Sequence, residues 1–424
     1  MVFGMLVLAV NLWAAPLHAG ETWHRSFEKA QEASRRSAKP IFADFKAAWC
    51  YSCYYMDQHI LSREDFQKEA QGLVLLELDV DREEGRLLKE KYRVQFLPSY
   101  VLLDSEGKEL GRIIGEQTRE QFLQKLRFLT APARESVPKE KLRALLEAGD
   151  LDAAGRLRRS LPPQTEDSPD ADFNILSARL DLSLAARKKN AEAAGAALEA
   201  LLNLEKDCPL AYDVYKAQDL VLSLDAARRG PVLESARARL EDLVEKRVFG
   251  KHDDRCADLR SPVDALSDVY AGLGLKAERE ALIERMLVML KKTSAGIGSD
   301  RNHDDNLRYF LEAAGKEESL DRLYPELARA YPADYVYNYR YAKNLYDRKQ
   351  AGRALEWIEK AERLCYGVNR LWVTLLKAKI LDALQRRPEA LRLLKRDIKA
   401  HSSRFPEESA QLQSLLDQWE TSPR

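Results

Sequence analysis

Two cysteines three positions apart, Cys50 and Cys53, are the residues of this chain whose types and spacing can do chemistry. They follow a short apolar run and lie where a helix is predicted to begin. A thiolate at a helix N-terminus is stabilised by unpaired N–H groups and by the helix dipole, so its pKa falls and it becomes nucleophilic near neutral pH. One helical turn lets the second cysteine reach the first and close a disulfide. The spacing predicts Cys50 as an exposed nucleophile and Cys53 as the buried resolving cysteine.

The same spacing is also typical of half a zinc site, which needs further ligands. No second pair of closely spaced cysteines follows, and His59 stands alone. The cluster from His252 to Cys256 is the other place where a metal could bind. We favour the redox interpretation, which predicts no metal and no cofactor.

Asp44 fits a proton-relay role in such a site. It lies six residues before Cys50 on a predicted strand, among apolar neighbours. A carboxyl group buried there has a raised pKa and can take up the proton of Cys53. The alternative is a carboxylate that only lines the strand.

Pro98 lies just ahead of another predicted strand, in Phe96-Leu97-Pro98-Ser99. A cis Leu97–Pro98 bond would place backbone groups beside the dithiol, where they can hold an extended substrate segment. An ordinary proline at a sheet edge is the alternative. Trp49, Tyr51, Leu97 and Pro98 are therefore the predicted substrate-binding residues.

Strand and helix patterns alternate around these residues, from about Glu21 to Thr130, and imply a central mixed sheet flanked by helices. The predicted elements are a helix over Trp23–Arg36, strands over Pro40–Phe45, Leu73–Val80, Tyr100–Asp104 and Glu109–Ile114, and a helix over Glu116–Leu129.

The stretch from about residue 22 to 129 resembles the thioredoxin superfamily. The resemblance is carried by Asp44-Phe45, Trp49-Cys50-x-x-Cys53, a strand ending Leu78-Asp79-Val80-Asp81, Tyr92-Arg93-Val94 before Pro98, and a hairpin with Gly107 and Gly115. It looks closest to the periplasmic C-terminal thioredoxin-like domain of the transmembrane disulfide-interchange reductase, with which it shares an insertion from Met56 to Phe66 and the Leu-Pro-Ser junction. The resemblance implies the family's fold, its cysteine nucleophile, its cis proline and its buried acid.

Three departures from thioredoxin itself leave the direction of electron flow open. Tyr51-Ser52 replaces Gly-Pro between the cysteines, and Lys46 replaces an aromatic residue. Glu77 stands where thioredoxin has a lysine paired with the buried acid.

After Ala131-Pro132 the strand patterns vanish, and turn-like breaks recur about every 34 to 47 residues, the period of helical-hairpin solenoids. The predicted breaks are Gly149-Asp150, Lys189-Asn190, Arg229-Gly230, Gly274-Leu275, Gly315-Lys316, Lys349-Gln350 and Arg386-Arg387. The copies resemble tetratricopeptide repeats, without that family's full signature. The predicted fold class is an α/β thioredoxin-like domain (residues 21–130), a linker (131–138) and an all-α tetratricopeptide-like solenoid (139–424), with a flexible break from Leu161 to Asp170.

The chain opens with an uncharged apolar run from Val2 to about Ala15. At about 14 residues it is shorter than the roughly 20 that cross a bilayer, and it suits the core of a bacterial secretory signal ending near Ala19. No Lys or Arg precedes it, so an uncleaved anchor and a buried helix remain alternatives. Residues 1–20 are predicted to be a signal peptide or anchor, and the protein to be periplasmic or secreted, or anchored facing the periplasm.

The remaining cysteines and a tyrosine cluster have two interpretations each. Cys208, Cys256 and Cys365 are either free and packed as small apolar groups or, for Cys208 and Cys256, bridged. The tyrosines pack between repeats or form a peptide-binding face; they are Tyr331, Tyr335, Tyr337, Tyr339, Tyr341 and Tyr346.

Composition narrows the class of protein. The 424 residues predict two or three domains, and 45% hydrophobic and 32% charged residues are typical of globular chains. Lys+Arg and Asp+Glu both total 68, so no global field attracts nucleic acid, and no Gly-rich phosphate loop occurs. The leading hypothesis is an exported thiol–disulfide oxidoreductase that reduces or isomerises protein disulfides, with client proteins docked on the repeats and electrons from a membrane thiol donor. The alternative is a repeat-based interaction scaffold whose thioredoxin-like unit is a tether or redox sensor.

Overall fold

A computed structural model describes residues 23–131, 138–161, 171–204, 226–251 and 256–421. Residues 23–131, the sheet domain, contain a four-stranded sheet of β1 Ile41–Lys46, β2 Val74–Asp79, β3 Ser99–Leu103 and β4 Glu109–Ile114. The strand order is β2-β1-β3-β4, with β1 parallel to β2 and β3 antiparallel to both β1 and β4. The predicted central mixed sheet is confirmed.

Helices flank this sheet: α1 Phe27–Ser37, α2 Tyr51–Met56, α3 Glu64–Ala70, α4 Glu83–Lys91 and α5 Arg119–Thr130. The first helix begins later than predicted, because His24 pairs with Leu76 at the edge of β2 instead of joining α1. The last helix also begins later, because Thr118 and Gln121 form a capping box that fixes its first turn. Helix α2 runs on as a π-helical segment, Asp57–Leu61.

Successive side chains of β1 point to opposite faces of the sheet, and an apolar cluster lies on each face. Ile41, Ala43 and Phe45 pack with β2 and with both cysteines. Phe42 packs on the other face with Tyr100 and other aromatic side chains. Asp44, two residues after Phe42, therefore lies on the same face of the strand as Phe42, with the Lys46 ammonium near it.

The described residues from 138 to 421, the helical array, consist of helices joined by turns. They are α6 Pro138–Glu147, α7 Leu151–Ser160, α8 Ala171–Arg187, α9 Ala191–Leu204, α10 Ala226–Arg247, α11 Arg260–Gly272, α12 Lys276–Thr293, α13 Arg301–Ala313, α14 Glu317–Ala330, α15 Val336–Asp347, α16 Ala351–Leu364, α17 Asn369–Ala383, α18 Arg387–His401 and α19 Pro406–Thr421. Helices that follow one another along the chain pack together, which is consistent with helical repeats. The tetratricopeptide assignment stays a prediction.

Most predicted breaks fall between helices, and Gly149, Gly274 and Gly315 there have φ of 72°, 74° and 62°. The break predicted at Arg229-Gly230 is wrong, since both residues lie within α10. The buried face that includes Leu233 and Leu240 continues after Pro231, so packing outweighs the loss of one backbone hydrogen bond near the start of the helix.

No helix among the described residues combines the length and apolarity that crossing a membrane requires. The predicted signal or anchor (1–20), most of the predicted linker (132–137) and the predicted break at 162–170 lie outside the described residues.

Candidate redox site

The two cysteines lie at the start of α2, which follows β1 along the chain. A turn closed by the Cys50 N–H and the Ala47 carbonyl, 3.2 Å apart, leads from the strand into the helix. Cys50 is the N-cap residue of α2, and its Sγ accepts a hydrogen bond of 3.1 Å from the Cys53 N–H. The two cysteines are joined by a disulfide with their Cα atoms 5.2 Å apart. Donors that point at the sulfur of Cys50 favour its thiolate when the pair is reduced.

Both cysteines are buried, with 5% of Cys50 and 3% of Cys53 exposed. The expectation of an exposed Cys50 is wrong. The physical reason is that the helical array packs on this side of the sheet domain, with α13 against α2. The Asn302 side chain of α13 donates to the backbone carbonyl of Tyr51, next to Cys50, at 2.8 Å.

Asp44 is buried on β1 with 1% of its surface exposed. Burial raises its pKa to about 7, although the nearby Lys46 ammonium opposes that rise. Its Oδ1 has no hydrogen-bond partner, and the Lys46 Nζ lies 3.6 Å from Oδ2. A carboxyl group with this pKa can take up and release a proton near neutral pH.

The Lys46 ammonium group forms ion pairs with three carboxylates. Its Nζ lies 2.9 Å from Asp57 and 3.2 Å from Glu77, in addition to Asp44. Burial alone would lower its pKa, but the carboxylates of Asp44, Asp57 and Glu77 raise it. The strand register sets Asp44 beside Glu77. The cation that thioredoxin has at the position of Glu77 is thus supplied here from β1.

The Leu97–Pro98 peptide bond is cis. Pro98 is buried, and its carbonyl accepts a hydrogen bond of 2.8 Å from Gly115 N–H. Leu97 is partly buried and packs on the apolar cluster that contains Cys50 and Cys53. The structure therefore brings the loop before β3 together with the dithiol.

The predicted substrate-binding residues Trp49 and Tyr51 have different surroundings. Trp49 is 42% exposed, and its Nε1 donates to Asp81 at 3.2 Å. The Tyr51 ring lies under the guanidinium of Arg260, 3.7 Å from it, and its hydroxyl donates to Asp258 at 3.3 Å. Residues of the helical array therefore cover the Tyr51 side chain, whereas the Trp49 side chain faces open space.

That open space is a cavity of about 800 Å³ between the sheet domain and the helical array. Trp49 and Val94 line it from the sheet domain, and burial raises the pKa of Asp81, at its edge, to about 6. The array contributes aromatic and basic side chains: Tyr335, Tyr339, Arg340 and Trp372.

The sequence analysis missed several residues of this neighbourhood. Burial raises the pKa of Glu116 well above its usual range; Asp258 adds to the rise, and Ser52, between the two cysteines, opposes it. Asp57 and Glu116 carry no local motif that marks them. They reach the site through the helix that follows the dithiol and through the end of β4.

Two further cysteines, Cys256 and Cys365, lie among the described residues, and one of them is disulfide-bonded and the other free. Cys365 is free and buried, and burial raises its pKa to about 11. Cys256 is disulfide-bonded, so its interpretation as a free packed thiol is wrong. Cys208 and residues 252–255 lie outside the described residues. Among the tyrosines, Tyr337 and Tyr341 are buried in the array core.

The sequence of the sheet domain is similar to that of known thioredoxin-like proteins. A family model described as a thioredoxin-like domain matches residues 27–130. A thioredoxin H-type from Fagopyrum esculentum is 30% identical over 93 residues, which cover 22% of this chain and 72% of the relative. The chain therefore belongs to the thioredoxin family through its sheet domain, and the pair Cys50–Cys53 is that of a thioredoxin-like disulfide oxidoreductase.

Two bacterial proteins are also similar in sequence to this chain. The disulfide bond reductase DsbH of Chlamydia pneumoniae is 32% identical over 107 residues, covering 22% of this chain and 64% of the relative. The thiol:disulfide interchange protein DsbD of Pectobacterium atrosepticum is 34% identical over 80 residues, covering 18% of this chain and 14% of the relative. The chain thus spans less than two thirds of either relative.

Proposed function

We propose that the protein is an exported thiol–disulfide oxidoreductase that reduces or isomerises disulfides in client proteins. The observation that carries this proposal is the Cys50–Cys53 pair at the start of α2, beside a cis proline and six residues after a buried acid whose pKa is near 7. Each of these parts has a task in thiol–disulfide exchange.

The exchange proceeds in two steps. The Cys50 thiolate attacks one sulfur of a client disulfide, which forms a mixed disulfide and releases a client thiolate that takes up a proton. Cys53 then gives its proton to Asp44 and attacks Cys50, which closes the Cys50–Cys53 disulfide and releases the second client thiolate. That thiolate takes up a proton as Asp44 gives up the one it received from Cys53. Two electrons pass to the client. A dithiol donor in the membrane returns two electrons and two protons to the pair.

Client docking is proposed for the cavity beside Trp49. The cavity reaches Val94, close to the cis-proline loop, and its opposite wall carries Tyr339 and Trp372 of the helical array. Aromatic side chains on both walls suit an extended polypeptide segment that approaches the dithiol. Leu97 and Pro98 would align that segment in the mixed disulfide.

Export to the periplasm, or secretion, follows as part of the proposal from the apolar run in residues 1–20. Anchoring by that segment, with the protein facing the periplasm, is the alternative. In either case an oxidising compartment requires an electron donor if the protein acts as a reductase.

The reduction potential of the Cys50–Cys53 couple tests the direction of the reaction. The full chain is equilibrated in dithiothreitol or glutathione buffers, and alkylation is read peptide by peptide so that Cys365 does not contribute. We expect a value near that of thioredoxin, roughly −270 mV. A value near −120 mV, as in a strong oxidant, would contradict the reductase direction.

The second candidate function is an interaction scaffold, and the burial of Cys50 under the helical array favours it. Substitution Cys50→Ser separates the two. An oxidoreductase loses turnover and mixed disulfides with clients, whereas a scaffold keeps its partners. Cys365→Ser, which alters a free buried thiol in the array, is the matched control and should change neither.

A further inference from the structure

Three arginines of the helical array converge on one buried carboxylate, Asp305. Arg260 and Arg308 each bind it at 2.9 Å, and Arg340 binds its Oδ1 as well. Burial alone would raise the pKa of Asp305, but the three guanidinium groups hold it far below its usual range. Glu312 pairs with Arg308 at 2.7 Å. Three guanidinium groups thus share the buried carboxylate of Asp305.

Two of these arginines reach the residues on either side of Cys50. The Arg340 Nη2 donates to the Trp49 carbonyl at 3.0 Å, which is the carbonyl of the peptide bond to Cys50. The Arg260 guanidinium lies over the ring of Tyr51. The residues on either side of the nucleophilic cysteine therefore each contact a cation that belongs to the array and not to the thioredoxin-like fold.

The carboxylates around Cys50 have other partners or a raised pKa. Asp258 binds the Tyr51 hydroxyl and two backbone N–H groups of α11. Asp81 is bound by Trp49 Nε1, while Asp44 shares Lys46 with other carboxylates. Glu116 is buried, and burial raises its pKa well above its usual range. Lys46 of β1 is thus shared among carboxylates, whereas Arg260 and Arg340 of the array contact the residues next to Cys50.

We propose that Arg340 is a positioning residue of the redox site, which holds the Trp49–Cys50 peptide and stabilises the Cys50 thiolate. A cation beside a cysteine in a water-poor interior favours the ionised sulfur. The helical array then sets the reactivity of the dithiol in addition to holding clients. This inference rests on the proposed function, because a stabilised thiolate matters only if Cys50 exchanges with other disulfides.

The test is a pH titration of the reduced full-length protein. The thiolate of Cys50 is followed by ultraviolet absorbance and by peptide-resolved alkylation with iodoacetamide. Arg340→Gln keeps a hydrogen-bond donor and removes the charge. We expect the midpoint of the Cys50 titration to rise by about one pH unit, with alkylation below the midpoint about tenfold slower.

Two further variants make the result specific. Arg340→Lys keeps the charge and should restore most of the wild-type midpoint. Arg348→Gln removes an arginine that binds Asp321 at 2.9 Å elsewhere on the array, and should leave the midpoint unchanged. An Arg340→Gln midpoint equal to that of wild type would overturn the proposal, as would equal shifts in Arg340→Gln and Arg340→Lys.

The titration needs no turnover, so the two proposals can fail separately. Reduction of a disulfide substrate by the wild-type protein is measured in parallel. If that activity is absent while the midpoint shift is present, the proposed function fails and the thiolate stabilisation by Arg340 stands.

Discussion

The buried Asp44 carboxyl illustrates how single residues set the chemistry of this protein. Its only nearby ammonium among the described residues, that of Lys46, also binds Asp57 and Glu77. One cation cannot neutralise three carboxylates, and burial disfavours the ionised form further. The proton on Asp44 is therefore held more tightly in the folded protein than in the unfolded chain.

Substitution Asp44→Asn should stabilise the protein in a pH-dependent way. The pKa of Asp44 is raised from 3.8 to about 7 in the fold, so the wild type loses stability as pH rises between these values. Each pH unit costs about 1.4 kcal/mol, and asparagine cannot ionise. We expect the free energies of unfolding to be similar near pH 4 and to differ by about 3–4 kcal/mol at pH 8. Urea unfolding of both oxidised proteins over this range is the measurement.

An exposed carboxylate provides the control for that experiment. Asp417→Asn, on the surface of α19, should show no comparable growth of the difference with pH. A constant difference between Asp44→Asn and wild type would mean that Asp44 ionises in the fold without penalty.

For single residues, the sequence predicts the redox motif more readily than the side chains that surround it in the fold. Cys50, Cys53 and Asp44 lie within ten positions, and their spacing relative to one strand and one helix indicates a redox chemistry. The sharing of Lys46 among three carboxylates depends on the register of β1 with β2 and on the helix that carries Asp57. Neither is visible in a local pattern.

At the scale of elements, the strands were predictable because short apolar runs bounded by turn-forming residues are typical of buried strands. Helix ends were less so, since Thr118 and the extended residues before α1 decide them through individual hydrogen bonds. Gly230 shows the opposite error, in which a turn-forming residue stays helical because the apolar face that follows it in the helix is buried. At Gly230 packing outweighs local propensity.

Substitution Gly85→Ala should loosen α4 from β2. A Cβ at position 85 would lie 2.0 Å from the Asp79 carbonyl oxygen and 3.1 Å from Val80 N, so the helix would have to move. We expect a loss of about 1–3 kcal/mol in the free energy of unfolding, although alanine favours helix. The matched control is Gly72→Ala, whose Cβ would lie 3.8 Å from the nearest atom. Equal stabilities of the two variants in urea unfolding would contradict the close approach of α4 to β2.

At the scale of the whole molecule, two groups of contacts hold the helical array on the sheet domain. On one side His59 pairs with Asp300 at 2.8 Å, next to the Asn302 contact with α2. On the other, Arg86 pairs with Glu408 at 2.7 Å. These partners lie hundreds of positions apart, so no pattern in the sequence could predict that the array covers the dithiol. The sheet domain and the helical array therefore meet at one shared surface beside the dithiol.

Substitution Gly367→Ala should show whether this packing controls access to Cys50. Gly367 has φ of 54°, and a Cβ there would lie 2.0 Å from the Asp81 carbonyl oxygen, which also accepts a 3.0 Å hydrogen bond from Val368 N–H. The array backbone must therefore retreat from the sheet domain, with strain of about 1–3 kcal/mol that favours local opening. We expect alkylation of reduced Cys50 to become about 5- to 150-fold faster, as that strain implies. Gly352→Ala has no atom within 4 Å of its Cβ and should react like the wild type. Equal rates in both variants would mean that the alkylating reagent reaches Cys50 without any separation of the two parts.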